Sequence, residues 1–188
     1  MIDNHKIIVL GAIEFKSIVI GFQALDQMVK VAPIHIIDAR TISAGKYLIV
    51  FSGDVASVEY AFKAGIETGG AYVVDQLFLP QVHKDVIPAL GDVITTEEWD
   101  TIGIIETLTI VSGIESADSA AKSGGIKITE IRLANGYGGK SYVKMIGSLD
   151  AVQSAVKAGT AKAREKNLLG MDTIIPQPHK EIKPFFMK

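Results

Sequence analysis

The sequence contains no cysteine. This absence excludes disulfides, thiolate zinc sites, a cysteine nucleophile and an iron–sulfur cluster held by thiolates of this chain. The sequence also has no apolar run near the roughly 18 residues that a membrane span needs. Its first residues, MIDNHKIIVLG, lack the charged-then-apolar order of a signal peptide. Together these absences predict a cytoplasmic protein.

An excess of charge of one sign is missing as well. Charged residues make up 21% of the 188 residues, and the formal net charge is −2. There is neither a basic stripe for nucleic acid nor an acidic tail for a basic partner, so we predict no nucleic-acid or membrane partner. Apolar residues, in contrast, make up 48%, and the mean hydropathy is +0.30. Because small lobes have much surface for their volume, this predicts that other subunits cover part of the apolar surface.

The chain contains an internal repeat. Gly11–Arg40 and Gly103–Arg132 are identical at eleven of thirty positions when they are aligned at an offset of 92. The offset then grows to 94, and LPQVH at 79–83 matches IPQPH at 175–179 at an offset of 96. The chain is therefore two copies of one unit. We place the first domain at residues 1–92 and the second at 98–188.

Each copy predicts the same order of elements. Short β-branched runs such as Ile7–Ile13 predict strands, and Ser17 and Thr109 are predicted N-caps of the helices that follow. Asp54 and Ser148 are predicted to cap the second helix of each copy. The predicted fold class is α/β (α+β), with two tandem β-α-β-β-α-β domains and the helices on one face of each sheet.

The stretch ANGYGGKS, residues 134–141, fits a relaxed phosphate-loop pattern. A phosphate loop must open directly into a helix, whereas SYVKMIG after Lys140 predicts a strand. The first copy keeps Gly45 and Lys46 but not the pattern. We interpret the stretch as a glycine-rich connection between antiparallel strands, whose amides can still attract small anions. An enzyme with a phosphate substrate at Gly136–Ser141 stays an alternative.

Other polar residues recur without forming a catalytic constellation. Glu14 and Glu106 lie at matching strand ends, where duplicate placement favours a structural role over acid–base catalysis. His83 and His179 recur in the PQxH turns, but the sequence supplies no convergent set of the three or more ligands that a metal site needs. We therefore predict no catalytic residue, no metal site and no enzymatic activity.

Several motifs, taken in order, resemble the bacterial microcompartment shell family. GIIETLTIVSGIESADSAAKSGGI resembles the opening strand and helix of such a domain, with its Gly-x-Ile-Glu-Thr strand end and its Asp-x-x-x-Lys helix. GDVASVEYAFKAG resembles the second helix, and IPQPH resembles the family's Pro-Arg-Pro-His signature. The set occurs in both copies, in unpermuted order, and is most similar to the trimeric tandem-domain shell proteins of the propanediol-utilisation type.

The resemblance implies a structural shell protein located in the microcompartment shell. Three chains would form a pseudohexameric tile, a homotrimer of six domains that contacts other shell proteins at its edges. The loops between the second and third strands would frame a central pore for small metabolites, lined by Ile42, Ser43, Ala44, Gly45, Asn135, Gly136, Tyr137 and Gly138. The tile-edge contacts would be Lys30, Lys122, Gln81, His83, Gln177 and His179.

Two positions depart from the family's pattern. In the most similar relatives a cysteine stands where this chain has Ser43, and three such cysteines hold an iron–sulfur cluster on the axis. A serine hydroxyl is a poor ligand for a soft cluster, so we predict no cluster or other cofactor and a polar pore suited to small neutral or anionic metabolites. Gln81 and Gln177 replace the signature arginine and lack its forked, charged contacts. A ligand-binding sensor with tandem ferredoxin-like domains stays the alternative function.

Overall fold

The fold consists of two compact units that follow the internal repeat. A computed structural model describes residues 9–133, 136 and 138–188. The first unit comprises Met1–Val82 with Ala134–Gly139, and the second comprises His83–Leu133 with Lys140–Lys188. Each unit has the element order β-α-β-β-α-β, which confirms the predicted fold class and repeat.

The first unit is an antiparallel four-stranded sheet with two helices. Its elements are β1 Val9–Phe15, α1 Ile18–Val31, β2 His35–Ile42, β3 Lys46–Gly53, α2 Val55–Gly69 and β4 Val73–Leu79. The strand order is β2-β3-β1-β4, so the first strand of the copy lies inside the sheet. A connection of three residues joins β2 to β3, and it positions the first candidate loop at one end of the sheet.

The second unit repeats this arrangement. Its elements are β5 Thr101–Thr107, α3 Ile110–Lys122, β6 Ile126–Arg132, β7 Ser141–Gly147, α4 Leu149–Glu165, β8 Leu169–Pro176 and the short α5 Lys183–Phe186. The strand order β6-β7-β5-β8 corresponds strand by strand to that of the first unit. The repeat in the sequence is therefore a repeat of the whole fold.

Side-chain caps start most of the helices where the sequence predicts them. The Ser17 hydroxyl accepts from the Ile20 N–H, the Thr109 hydroxyl accepts from the Ser112 N–H, and Asp54 caps α2. These bonds satisfy backbone donors that the first turn of a helix leaves unpaired. Ser148 occupies the N-cap position of α4, but its side chain makes no capping hydrogen bond, so that part of the prediction is wrong.

The core of the first unit lies between the sheet and its helices. Alternate residues of β1 and β3 point to this side, among them Ile13 and Phe51, and they pack with Met28 of α1. Gly21 allows α1 to approach β3 closely, because a Cβ at this position would lie 2.5 Å from the Cβ of Tyr47. The glycine thus sets the distance between helix and sheet.

The second unit also carries a covered patch on the opposite face of its sheet. Phe186 of α5 is buried there against Ile102 and Ile146, and its ring meets Trp99 edge-on at 5.7 Å. The Trp99 indole N–H donates to the Pro178 carbonyl at 2.9 Å. The C-terminal segment is therefore fixed to the sheet by an aromatic cluster.

The connection between the two copies packs on β6, the edge strand of the second unit. The Gly91 N–H donates to the Ile131 carbonyl at 2.9 Å, and the Ile131 N–H donates to Ala89 at 2.8 Å. The Ile94 N–H donates to Thr129 at 2.8 Å. These bonds satisfy an edge that would otherwise present open backbone groups. Residues 83–92, which the sequence repeat predicts to belong to the first copy, thus pack in the second unit, and the domain boundaries at 92 and 98 stay a prediction.

Candidate functional site: the paired loops and the lobe edges

The Gly-Lys lysine of each copy forms an ion pair with the glutamate at the end of the first strand. Lys46 Nζ lies 2.8 Å from Glu14 Oε1, and Lys140 Nζ lies 2.8 Å from Glu106 Oε1. The carboxylates neutralise the lysines and anchor the loop ends to the sheet. This gives Glu14 and Glu106 a structural role, as the duplicate placement predicts. The sequence held a signal for the pairing itself, since both members recur in both copies.

The ion pair of Lys140 also shows that residues 134–141 do not form a phosphate loop. In a phosphate loop the lysine must be available to phosphate oxygens, and a helix must begin directly after the loop. Here Lys140 is held by Glu106, and the strand β7 begins at Ser141. The Ser141 hydroxyl donates to the Arg132 carbonyl on the neighbouring strand at 2.7 Å. The stretch is a strand connection, as predicted, rather than a nucleotide-binding loop.

The first loop is a tight turn with two residues in left-handed conformation. Ile42 pairs with Lys46 across the ladder, and Ala44 and Gly45 between them have φ values of 64° and 70°. A Cβ at Gly45 would meet nothing within 4 Å. Small residues therefore let this turn project from the sheet with open space beside its backbone.

The second loop meets the first one at Ser43. Gly136, Gly138 and Gly139 all have positive φ. The Gly136 N–H donates to Ser43 Oγ at 2.7 Å across 93 positions of sequence. Gly136, Gly138 and Gly139 accordingly group with the first unit. The structure thus brings the two glycine-rich loops of one chain together.

The predicted pore residues fall into three groups. Ser43, Ala44, Gly45, Gly136 and Gly138 belong to the two loops, and Asn135 and Tyr137 lie outside the described residues. Ile42 is buried, because it ends β2 inside the unit, so its side chain is not available to line an opening.

The loop residues do not fit an iron–sulfur cluster. Ser43 presents a hard hydroxyl oxygen, and the chain has no thiolate to offer. Its Oγ already accepts a hydrogen bond from Gly136, which leaves the hydroxyl proton as a donor. Such a group suits a polar or anionic solute better than a soft metal. Among the described residues, no group of three or more His, Asp or Glu side chains is arranged to hold a metal ion.

The predicted edge residues occupy matching surface positions. Lys30 and Lys122 each pair with an aspartate one helical turn earlier, Asp26 and Asp118 respectively. These i,i+4 pairs lie in the last turns of α1 and α3, where a cation also complements the helix dipole.

The second set of edge residues lies in the turns that follow β4 and β8. Gln81, Gln177 and His179 are exposed, and His83 is half-buried. Gln177 has a φ of 48°.

No helix among the described residues has the length and apolar character that a membrane crossing requires.

Comparison with known proteins defines the class. The BMC domain matches residues 9–82 and 101–178, so the chain belongs to the BMC-domain family of microcompartment shell proteins. It carries two such domains in tandem, as the sequence predicts. It is a structural component of a microcompartment shell, and the predicted shell location is confirmed.

Individual relatives sharpen this assignment. The chain is 34% identical to the bacterial microcompartment shell protein PduT of Citrobacter freundii over 173 residues, 92% of this chain and 94% of that protein. It is similar to the crystal structure of a microcompartment protein from Desulfitobacterium hafniense, with a TM-score of 0.83, 37% identity and coverage of 95% and 99% of the two chains. Carboxysome shell protein CsoS1B of Hydrogenovibrio crunogenus is 35% identical over 91 residues, 48% of this chain and 92% of that protein. These similarities support the shell function, and none of them supports the sensor alternative.

Proposed function

We propose that three copies of this chain form a flat shell tile with a central pore framed by the two glycine-rich loops. The observation that carries the proposal is the hydrogen bond between Gly136 and Ser43, which joins the loops of both copies within one chain. Three such loop pairs around a threefold axis form a ring of six. The narrow turns and small side chains suit a position where several backbones crowd together.

The pore passes small neutral or anionic metabolites. The Ser43 hydroxyl proton and the backbone N–H groups of a loop rich in positive φ are hydrogen-bond donors. The loop lysines do not add free positive charge, because Glu14 and Glu106 neutralise them. The pore therefore selects by size and by donor groups and contains no iron–sulfur cluster.

The tile acts without catalysis and contacts other shell proteins through its rim. Lys30, Lys122 and the histidines of the two PQxH turns recur in both copies, as residues at a quasi-sixfold edge should. Gln81 and Gln177 replace the more strongly binding arginine at this rim, which weakens edge contacts or changes the preferred partner.

A cysteine substitution tests the pore directly, since the chain has no other cysteine. In the Ser43→Cys variant, three thiols near the axis should give disulfide-linked dimers on mild oxidation, seen by non-reducing electrophoresis. Lys63→Cys, on an exposed face of α2, is the matched control and should stay monomeric on the gel. Sedimentation of the wild-type protein should give three times the chain mass of 20.1 kDa. A monomeric wild type, or a trimer whose Ser43→Cys variant does not cross-link, would contradict the proposal.

The absence of a cluster is tested on wild-type protein purified without oxygen. We expect no visible iron–sulfur absorbance and no stoichiometric iron. Brown protein with bound iron would show that our interpretation of Ser43 is wrong. The Ser43→Cys variant, purified in the same way, shows whether a thiolate alone restores a cluster.

A further inference from the structure

The segments that follow β4 and β8 are built in the same way. In the first, the Asp85 N–H donates to His83 Nδ1 at 3.3 Å, and the Val86 N–H donates to the His83 carbonyl at 3.1 Å. We name residues 83–90 the joint segment. Its turn holds the His83 backbone N–H in a fixed direction.

The C-terminal segment, residues 179–186, forms the same turn. The Glu181 N–H donates to His179 Nδ1 at 3.4 Å, and the Ile182 N–H donates to the His179 carbonyl at 3.1 Å. The sequences also correspond, since HKDVIP at 83–88 matches HKEIKP at 179–184. The chain therefore presents two copies of one docking element.

Helix α3 binds the joint segment. The His83 N–H donates to Asp118 Oδ1 at 2.8 Å, and the same carboxylate pairs with Lys122 at 2.6 Å. Asp118 lies on α3, where Val111 and Ile114 are buried as well. A buried carboxylate that accepts a backbone N–H is a strong and directional anchor.

Helix α1 carries the corresponding binding residues, but they are exposed. Asp26 pairs with Lys30 at 2.5 Å, as Asp118 pairs with Lys122. The residues that correspond to Val111 and Ile114 are Val19 and Phe22, and their side chains are 68% and 57% exposed. Apolar residues of this size at one helix face indicate a surface that a partner covers.

The C-terminal segment shows the complementary exposure. Val86 and Ala89 of the joint segment are buried, whereas the corresponding Ile182 and Phe185 are 38% and 74% exposed. Phe186, next in sequence, is buried on the sheet of its own unit. This anchor fixes the backbone that presents Phe185, so little conformational freedom is lost when a partner binds.

We propose that the C-terminal segment of one copy docks on α1 of a second copy, with the His179 N–H donating to Asp26 and with Ile182 and Phe185 covering the apolar face of α1. This inference rests on the proposed trimer and states which surfaces close it. Within each chain the joint segment is already bound at α3. The two corresponding surfaces, α1 near the N-terminus and the C-terminal segment, are both exposed. The two halves are different surfaces, so the contact is head-to-tail, and the threefold symmetry of the proposed tile closes it into a ring.

The edge lysines stay available in this arrangement. Lys122 keeps 44% of its side chain exposed although the joint segment binds the adjacent Asp118. Lys30 beside Asp26 should be accessible in the same way. The contact within a tile and the contact between tiles can therefore use neighbouring residues of one helix.

Substitutions at both surfaces test the proposal in the full-length chain. Asp26→Ala and the double variant Ile182→Ser with Phe185→Ser should each raise the concentration at which trimers dissociate by about tenfold or more, measured by sedimentation. Glu59→Ala removes an equally exposed carboxylate of an i,i+4 pair on α2, and Met171→Ser removes an exposed apolar side chain on β8. Both controls should leave the trimer unchanged. Circular dichroism of each variant confirms that the fold is intact.

Cross-linking gives a second readout that does not depend on affinity. The Lys30→Cys variant combined with Lys180→Cys should yield covalent trimers with a short bismaleimide, and Lys63→Cys combined with Lys180→Cys should not. A wild type that sediments as a trimer and is insensitive to all three interface substitutions would overturn this inference and leave the proposed tile standing. A monomeric wild type would overturn both.

Discussion

The two copies share one fold but surround corresponding charges differently. In the first copy Glu14 is fully buried beside Lys46, whereas Glu106 and Lys140 in the second copy are both partly exposed. At another matched position it is the second copy that has the buried charged pair. The pair across the ladder is Asp38 and Val50 in the first sheet but Glu130 and Lys144 in the second. A duplicated fold thus keeps its geometry while each copy places its buried charge at a different site.

The largest effect is expected at the buried charge of the second copy. Lys144 Nζ lies 2.7 Å from Glu130 and donates to the Phe186 carbonyl at 2.8 Å. Lys144→Met removes both contacts and leaves a buried carboxylate with less compensation, which should lower the free energy of unfolding by about 3–5 kcal/mol. Urea denaturation measures this loss.

The double variant Lys144→Met with Glu130→Leu sharpens the comparison, because it gives the second sheet an apolar pair. It should recover a large part of the lost stability, since the buried carboxylate, which in the single variant has lost Lys144 and retains Arg132, is gone. A double variant less stable than the single one would show that the pair itself, rather than burial of one charge, holds this face.

The next effect compares the two loop lysines. Lys46→Ala should cost about 3 kcal/mol of unfolding free energy because it removes the ion pair with Glu14 in a buried site. Lys140→Ala, in the exposed counterpart, should cost about 0.5 kcal/mol. Equal losses in urea denaturation would contradict the difference in burial. Lys140→Ala should also leave trimer formation unchanged, because the lysine is paired with Glu106 of its own chain.

Matched glycines give a smaller difference. Gly21→Ala would place a methyl group 2.5 Å from the Tyr47 Cβ, which is fixed to the backbone of β3, so α1 must shift. Gly113→Ala meets the Ser141 hydroxyl, which can rotate at the loss of its bond to Arg132, and it would lie 2.9 Å from the Ser141 Cβ, a smaller overlap than the one at Gly21. We expect about 2–3 kcal/mol for the first and about 1 kcal/mol for the second from thermal unfolding. The reverse order would indicate that the helices, and not the sheet residues, adjust.

The smallest effect concerns the caps of the second helices. Two hydrogen bonds from Ser57, first through its hydroxyl and then through its backbone N–H, lower the pKa of Asp54. Because the folded state lowers this pKa, the stabilisation is present above the ordinary Asp value of about 4 and is lost as pH falls through the folded value. Asp54→Ala should therefore lower the melting temperature at pH 7 more than Ser148→Ala, whose side chain forms no cap. The difference should shrink as the pH falls through the folded-state pKa of Asp54; a pH-independent difference would contradict the charge-based explanation.

Local patterns decided what could be predicted at the level of elements. The residues SYVKMIG alternate and form β7 as predicted, and Ser17, Thr109 and Asp54 start their helices. Ser148 shows the limit of such reasoning, since a good capping residue at the right position makes no side-chain bond. Residue type specifies where a helix can start, but the rotamer that makes the cap depends on surroundings.

The sequence by itself determined the duplication, the order of strands and helices, and the glycine-rich connections, because each of these depends on periodicity or on conformational preferences of neighbouring residues. Only the tertiary structure decided which distant groups meet where the repeat carries no signal. Ser43 meets Gly136 across 93 positions, and Lys144 meets the carbonyl of Phe186 across 42. Such partners are chosen by how sheets and segments pack, and the free energy of bringing distant residues together has no local signature in the chain.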